Sequence, residues 1–159
     1  MSNSSTPSAV GLEVPDFSLP ATAGKTFTLS AQRGNPLVIY FYPKDSTPGC
    51  TTEAQQFRDL HGEFVKAGGS VWGVSRDSIK SHENFKSILG LPFELLSDAE
   101  ETACILFDVI KLKNMYGKLV KGIERSTFLI DRNGKLAREW RAVKADGHAA
   151  EVLTALQAL

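Results

Sequence analysis

The sequence predicts an α/β fold with parallel strands, and three features support that prediction. A continuous β-prone apolar run over residues 37–42 is closed by Pro43, as expected for a central strand buried on both faces. Apolar residues then recur every three to four positions until Gly68 and Gly69, which indicates an amphipathic helix and its end. A second strand signal over residues 70–75 precedes a second helical pattern. This β-α-β-α order favours parallel strands.

Further elements flank this core. Apolar and polar residues alternate on both sides of a turn at Gly24 and Lys25, which predicts an N-terminal β-hairpin. A short strand is predicted at residues 94–96 and a helix around residues 100–107. The polar, glycine-containing stretch over residues 111–121 is interpreted as a loop insertion.

The C-terminal part completes the pattern. Two β-prone runs, at residues 126–130 and 136–141, flank Asn133 and Gly134, a pair that strongly indicates a hairpin turn. A helical pattern ends the chain. Without the N-terminal hairpin and the insertion, the order is β-α-β-α-β-β-α. The predicted fold class is therefore a thioredoxin-like three-layer α/β/α sandwich with an N-terminal β-hairpin extension and an insertion before the last β-hairpin.

The length and charge of the chain limit its organisation and its partners. A chain of 159 residues fits one domain. Residues 1–9 are small and polar and are expected to form a flexible N-terminus, which leaves residues 10–159 as the single domain. The 18 Lys and Arg residues balance the 18 Asp and Glu residues, so nothing in the charge indicates nucleic acid or an anionic membrane as a partner.

The predicted compartment is the cytoplasm. The longest apolar run, around residues 37–41, is too short to span a bilayer, and the first eight residues lack the features of a secretory signal. A reducing compartment would keep both cysteines of the chain as thiols at rest. The sequence therefore raises the question of what a free thiol does.

The most informative stretch, residues 43–53, lies between the first core strand and its helix. Thr47 followed by Pro48 is a helix-start signal, with Thr47 as the N-cap and proline at the first helical position. Cys50 is then the third residue of the helix. Unpaired N–H groups and the positive end of the helix dipole favour the anion of a thiol in this turn, and the thiolate is the nucleophilic form.

This stretch resembles the active site of a known family. Pro43, Thr47 and Cys50 match the Pro-x-x-x-Thr-x-x-Cys pattern of peroxiredoxins. Residues 122–131, Gly-Ile-Glu-Arg-Ser-Thr-Phe-Leu-Ile-Asp, are similar to the strand that bears the arginine of that family, which is Arg125 here.

The wider context resembles the subfamily of bacterioferritin comigratory protein, or peroxiredoxin Q. The matching residues are Phe-Tyr-Pro-Lys-Asp at 41–45, Thr-Pro-Gly-Cys-Thr at 47–51, and Gly147 with His148; the likeness runs from about Gly11 to the C-terminus. It implies a thiol-dependent peroxidase that reduces hydrogen peroxide and organic hydroperoxides through a sulfenic acid on Cys50. It also implies a monomer. No cofactor or metal is expected, since no Cys/His cluster of the sequence has metal-ligand spacing. The expected reductant is thioredoxin, glutaredoxin or glutathione.

The resemblance also implies a role for each site residue. Arg125, which is always charged, is expected to hold the thiolate and to polarise the peroxide. Thr47 is expected to accept the N–H of Cys50 as a cap while its own O–H points to the sulfur or the peroxide. Pro43 has no N–H and a restricted φ, so its expected part is to shape the pocket and to shield the intermediate from water.

The sequence departs from the subfamily in its second thiol. Many members have a resolving cysteine five residues after the peroxidatic one, where this chain has Gln55, and others have it in the following helix, where residues 81–89 contain none. The remaining thiol, Cys104, has apolar helical neighbours and is interpreted as a core residue, with resolution of Cys50 as the alternative. The chain is therefore predicted to be a thioredoxin-dependent peroxiredoxin of the one-cysteine type.

Several nearby residues have simpler interpretations. Glu53 is expected to be a favourable acid near a helix start, and His61 and His82 are expected to be exposed helix residues. The lysines of the predicted insertion are interpreted as a solvated face, with guidance of a reducing partner as the alternative; they are Lys111, Lys113, Lys118 and Lys121.

Two other functions remain possible from the sequence. A thiol–disulfide oxidoreductase on the same fold would need a Cys-x-x-Cys motif, and Cys50 is followed by Thr51, Thr52 and Glu53. A peroxide sensor would use the same oxidation of Cys50 once, to change the state of a partner, and turnover with an external reductant distinguishes it from an enzyme.

Overall fold

The computed structural model describes residues 9–159, which contain nine strands, four α-helices and one 3₁₀ turn. The strands are β1 Ser18–Ala21, β2 Lys25–Thr28, β3 Leu37–Phe41, β4 Ser70–Ser75, β5 Leu95–Ser97, β6 Ile110–Met115, β7 Lys118–Ile123, β8 Ser126–Ile130 and β9 Leu136–Trp140. The α-helices are α1 Pro48–Lys66, α2 Ile79–Leu89, α3 Thr102–Leu106 and α4 His148–Gln157, and the 3₁₀ turn is Leu29–Gln32. The predicted flexible terminus falls mostly on residues 1–8, outside the described residues, so that domain boundary stays a prediction.

Seven strands form one sheet in the order β2-β1-β5-β4-β3-β8-β9. Strands β3, β4 and β5 run parallel, as the β-α-β-α pattern predicts, while β8 pairs antiparallel with β3 and β9 antiparallel with β8. The N-terminal hairpin is also confirmed, and it joins the sheet through a bridge from β1 to β5. The thioredoxin-like prediction is therefore correct in its element order and its strand pairing.

The central strand β3 separates two hydrophobic cores. Val38 and Tyr40 point into one core, which α1, α2 and α4 cover. Ile39 and Phe41 point into the other, which α3 and the N-terminal segment cover. All five residues of β3 are buried because both faces of the strand are packed, which explains its uninterrupted apolar sequence.

The insertion before the last hairpin is present, but the prediction of a polar loop is wrong. Strands β6 and β7 pair with each other as a separate two-stranded sheet. Tyr116 and Gly117 form the turn with positive φ angles of 55° and 83°, as a tight hairpin requires. The segment has the sequence pattern of a loop because most side chains of both strands are exposed, so no continuous apolar face marks the strands.

Within residues 9–159, no helix is long and apolar enough to cross a membrane.

We predict that Gly73→Ala destabilises the fold by about 1–3 kcal/mol, the usual range for overpacking. Gly73 lies opposite Tyr40 in the parallel pair of β3 and β4. A Cβ atom there would lie 2.8 Å from Leu95 Cδ2 and 2.9 Å from Tyr40 Cζ. The Tyr40 ring is stacked on Phe57 at 4.5 Å and is fully buried, so it has little room to move.

Urea unfolding with Gly62→Ala as the control measures this effect. Gly62 is exposed on α1, and a Cβ atom there meets nothing within 4 Å. Alanine should stabilise the helix at that position by up to about 1 kcal/mol. Equal effects of the two substitutions would contradict the packing described for Gly73.

Candidate active site

Cys50 lies in the first turn of α1, at the carboxyl end of the central strand. Thr47 is the N-cap and Pro48 the first helical residue, as predicted, so Cys50 is the third residue of the helix. The side chain is buried, with 1% of the residue exposed. The unpaired N–H groups of the first turn and the helix dipole therefore act on a sulfur that is almost removed from water.

Arg125 reaches the sulfur from the neighbouring strand. Ser126, the first residue of β8, pairs with Phe41 at the end of β3, so the residue before β8 lies beside the start of α1. Arg125 Nη2 donates to Cys50 Sγ at 3.6 Å. The predicted meeting of Cys50 and Arg125, which are far apart in the sequence, thus follows from the antiparallel pairing of β8 with β3.

Glu53 is the third member of the site, and the sequence interpretation missed its role. Arg125 Nη1 donates to Glu53 Oε1 at 2.7 Å, and Glu53 is fully buried. One side of the guanidinium thus binds the carboxylate while the other faces the sulfur. The available signal was the spacing: three residues after Cys50, Glu53 lies on the buried face of α1, where a carboxylate requires a charged partner.

Burial and the ion pair act in opposite directions on Glu53. Burial raises the pKa of Glu53 to about 7, although the charge and hydrogen bond of Arg125 act to lower it. Its second oxygen, Oε2, has no hydrogen-bond partner within residues 9–159. Burial lowers the pKa of Arg125, but Glu53 and Cys50 raise it by more, so the guanidinium stays charged.

Gly49 provides the space in which the guanidinium approaches the helix. A Cβ atom on Gly49 would lie 3.0 Å from Arg125 Nη2, closer than most van der Waals contacts. A larger residue would therefore push against the side chain that Glu53 and Cys50 hold in place.

Thr47 is the helix cap by position, but its expected cap hydrogen bond is absent from the described structure. The hydroxyl donates instead to Lys44 O at 2.8 Å, and no side-chain bond reaches the first-turn N–H groups. The hydroxyl has one proton, and that proton closes the turn between Pro43 and Thr47, so it is not directed at Cys50. Pro43 is half-buried at the start of this turn.

Cys104 lies on the other side of the sheet from Cys50. Cys50 packs in the core with Val38 and Tyr40, and Cys104 packs in the core with Ile39 and Phe41. Both are free thiols. Burial, and then the nearby charge of Asp98, raise the pKa of the Cys104 thiol far above its ordinary value, which disfavours the nucleophilic thiolate.

The prediction that His82 is exposed is wrong, because His82 is fully buried at the start of α2. Its ring contacts Asp45 Oδ2 at 2.7 Å and Leu96 O at 2.8 Å. Within residues 9–159, Asp45, Asp77 and His82 are the one group of three whose ligand atoms lie within 4.8 Å of one another, as a metal site needs. Those atoms are already engaged in hydrogen bonds to protein groups, which does not favour a metal there.

The chain is similar to characterised proteins over most of its length. The model of the AhpC/TSA family matches residues 10–139. The protein named Peroxiredoxin Bcp of Xanthomonas campestris pv. campestris is 56% identical over 151 residues, which covers 92% of this chain and 94% of that protein. The Peroxiredoxin Bcp of Bacillus subtilis is 50% identical over 148 residues, covering 93% and 94% respectively.

Solved structures have the same fold. The bacterioferritin comigratory protein of Xanthomonas campestris, described for its alkyl peroxide reduction activity in trapped intermediate and ligand complexes, superposes with a TM-score of 0.89 at 55% identity and covers 94% of this chain and 98% of its own. A mutant of Xylella fastidiosa PrxQ superposes with a TM-score of 0.91 at 43% identity, covering 96% and 98%.

Two further structures of the Xanthomonas peroxiredoxin Q replace one cysteine each by serine. In this chain, Lys86 on α2 follows Cys50 by the same number of residues that separates those two cysteines. Lys86 Nζ donates to Glu94 Oε1 at 2.6 Å. An ion pair therefore stands here at the spacing where that relative has a second thiol.

We predict that Glu53→Gln changes how stability depends on pH. The carboxyl titrates at 4.5 in the unfolded chain and at about 7 when folded, so the folded protein binds an extra proton between these values. The stability of the wild type relative to Glu53→Gln should therefore fall as pH rises through this window, by on the order of 3 kcal/mol in total.

Urea unfolding of both proteins across this pH range measures the difference. Glu63→Gln is the control, because Glu63 lies exposed on the same helix. A stability difference between wild type and Glu53→Gln that is constant with pH would contradict the burial effect on Glu53.

Proposed function

The chain belongs to the AhpC/TSA family and is a peroxiredoxin, a thiol-dependent peroxidase, and on this basis we propose that Cys50 is the thiol that attacks the peroxide. The observation that best supports this proposal is the contact of Arg125 Nη2 with Cys50 Sγ at 3.6 Å in the first turn of α1. A helix start and a guanidinium together stabilise the anionic forms of sulfur and oxygen.

The reaction proposed at Cys50 is a two-electron transfer of oxygen. The thiolate attacks one peroxide oxygen, so the S–O bond forms while the O–O bond breaks. Sulfur is oxidised to the sulfenic acid, and the departing oxygen takes a proton to leave as water or an alcohol. Negative charge develops on that departing oxygen, and the guanidinium of Arg125, which faces the sulfur, is a fixed donor that can stabilise it.

We assign Glu53 the role of orienting Arg125. The bond from Nη1 to Oε1 fixes the guanidinium plane, and the neighbouring Nη2 then faces the sulfur. Glu53 does not touch the peroxide in this proposal, because the guanidinium stands between the carboxylate and the sulfur.

Pro43 and Thr47 shape the wall of the pocket. The hydroxyl of Thr47 holds Lys44 O and so fixes the turn that leads from β3 into α1. Its oxygen retains lone pairs that can accept a hydrogen bond from the peroxide or the thiol. Pro43 has no N–H, so it offers no donor that would hold a water molecule beside the sulfenic acid.

We further propose that the sulfenic acid is reduced by a thiol from outside the chain, which makes the enzyme a one-cysteine type. The packing of Cys50 and Cys104 in different cores supports this assignment, as does Lys86 at the spacing of the second thiol in the Xanthomonas protein. Thioredoxin, glutaredoxin and glutathione are the reductants proposed. Since Cys50 is 1% exposed, the start of α1 must open before such a thiol reaches its sulfur.

The remaining proposals concern organisation. We propose that residues 10–159 form the one domain, that the enzyme acts as a monomer, and that it works in the cytoplasm, where thiol reductants are abundant. A sensor function would use the same site without turnover, so catalytic cycling with an external thiol is the observation that favours the enzyme over the sensor.

We predict that Arg125→Ala lowers the second-order rate of Cys50 oxidation by hydrogen peroxide by about a hundredfold or more, because a fixed donor to the departing oxygen is lost. Rapid mixing with peroxide measures the rate, and Cys50→Ser should abolish the reaction. Arg132→Ala, at an exposed arginine of the β8–β9 turn, is the matched control and should react normally. Alkylation of Cys50 should persist in Arg125→Ala, and a peroxide rate within a few-fold of wild type would show that the arginine assignment is wrong.

We predict that one equivalent of hydrogen peroxide adds oxygen to Cys50 and forms no internal disulfide. Intact mass under non-reducing conditions should show added oxygen, or a mixed adduct when a small thiol is present. Cys104→Ser should keep full turnover with an external reductant. Loss of two hydrogens from the monomer would instead identify Cys104 as the resolving thiol.

A further inference from the structure

A buried polar cluster lies behind the turn that leads into α1. The carboxylate of Asp45, in that turn, accepts three hydrogen bonds: from the hydroxyl of Tyr42 at 2.6 Å, from the hydroxyl of Ser81 at 2.8 Å, and from His82 Nδ1 at 2.7 Å. The three donors come from the end of β3 and from two positions on α2. Asp45 is therefore fixed from two elements at once.

The hydrogen bonds assign both ring protons of His82. Nε2 lies 2.8 Å from Leu96 O, and a carbonyl oxygen only accepts, so Nε2 bears a proton. Nδ1 faces Asp45, whose pKa burial raises but the hydrogen bonds from His82 and Tyr42 lower by more, so the carboxylate stays ionised. Nδ1 must then bear the second proton, and the ring is a charged imidazolium.

The other titratable groups at the ring agree with this charge. Tyr42 Oη lies 3.5 Å from Nδ1, and burial raises the pKa of this phenol, so it remains a neutral donor to Asp45. Asp77, from the loop before α2, accepts the N–H of Asp45 at 2.9 Å and the hydroxyl of Ser75 at 2.6 Å. A neutral His82 would leave two carboxylates without a buried positive charge, which is a costly arrangement.

The cluster holds the backbone of the turn as well as a side chain. Asp45 lies between Pro43 and Thr47, and its N–H is tied to Asp77 while its carboxylate is tied to His82. The next residue, Ser46, has a φ of 66°, in the left-handed region that non-glycine residues seldom adopt. Such a conformation persists when its surroundings fix it.

We propose that the ion pair of His82 and Asp45 positions the peroxidase site: the charged ring holds the turn of Pro43 and Thr47 in its reactive shape. This inference rests on the proposed function of Cys50. His82 is a positioning residue, since it touches neither Cys50 nor Arg125. The consequence is that loss of this pair slows the reaction of Cys50 with peroxide more than its reaction with an electrophile that does not need the shaped pocket.

The first test uses the wild-type protein and needs no substitution. Nitrogen-15 spectra of the His82 ring should show both nitrogens protonated at neutral pH. A single-proton neutral ring at neutral pH would overturn the proposal.

The second test separates positioning from thiolate formation. The rate of Cys50 with hydrogen peroxide is divided by its rate with iodoacetamide at the same pH, so that the thiolate fraction cancels. In His82→Gln and in Asp45→Asn this ratio should fall about tenfold or more below that of wild type, because a small displacement in the pocket affects the peroxide reaction most.

Two control variants complete the design. His61→Gln changes a half-buried histidine of α1 away from the cluster and should keep the wild-type ratio. Ser81→Ala removes one neutral donor to Asp45 but no charge, and should change the ratio much less than His82→Gln does. A wild-type ratio in His82→Gln would overturn the role of His82 alone, whereas a wild-type Cys50 that does not react with peroxide would overturn the proposed function itself.

Discussion

A positive charge held beside a buried sulfur is the constraint on which this structure depends. Cys50 and Glu53 are both almost completely removed from water, and Arg125 binds each of them through a different nitrogen. Neither acidic group would be stable as an anion there without the guanidinium, and removal of one partner from a buried pair typically costs about 3–5 kcal/mol. Burial outweighs the ion pair at Glu53, because it raises the pKa of that carboxyl to about 7 despite the charge of Arg125.

Strand pairing, rather than local sequence, brings the positive charge of Arg125 beside Cys50. Strand β3 delivers the start of α1 at its carboxyl end, and the antiparallel β8 brings Arg125 to the same edge. The cluster of Asp45 and His82 fixes the turn between β3 and α1 against α2 and β5. The Cys50 helix start therefore lies between two buried ion pairs, one to each side.

The sequence predicts what depends on local pattern. Periodicity and turn residues indicated the order of the core elements, and Thr47 with Pro48 indicated the helix start that contains Cys50. The hydroxyl bond of Thr47, the pairing of Glu53 with Arg125 and the burial of His82 could not be read locally, because each depends on a partner distant in the sequence or on a hydroxyl rotation. The hairpin of β6 and β7 was missed for the opposite reason, since most of its side chains are exposed and only Ile110 and Ile123 at its base pack on the core.

The most direct test is a double-mutant cycle on the second-order rate of Cys50 with hydrogen peroxide, using Glu53→Gln, Arg125→Ala and the combined variant. If Glu53 acts by orienting Arg125, Glu53→Gln slows the reaction in the wild-type background but adds almost nothing once Arg125 is replaced. Fully multiplicative effects of the two substitutions would contradict the account, because they would show that the carboxylate acts on the reaction independently of the guanidinium.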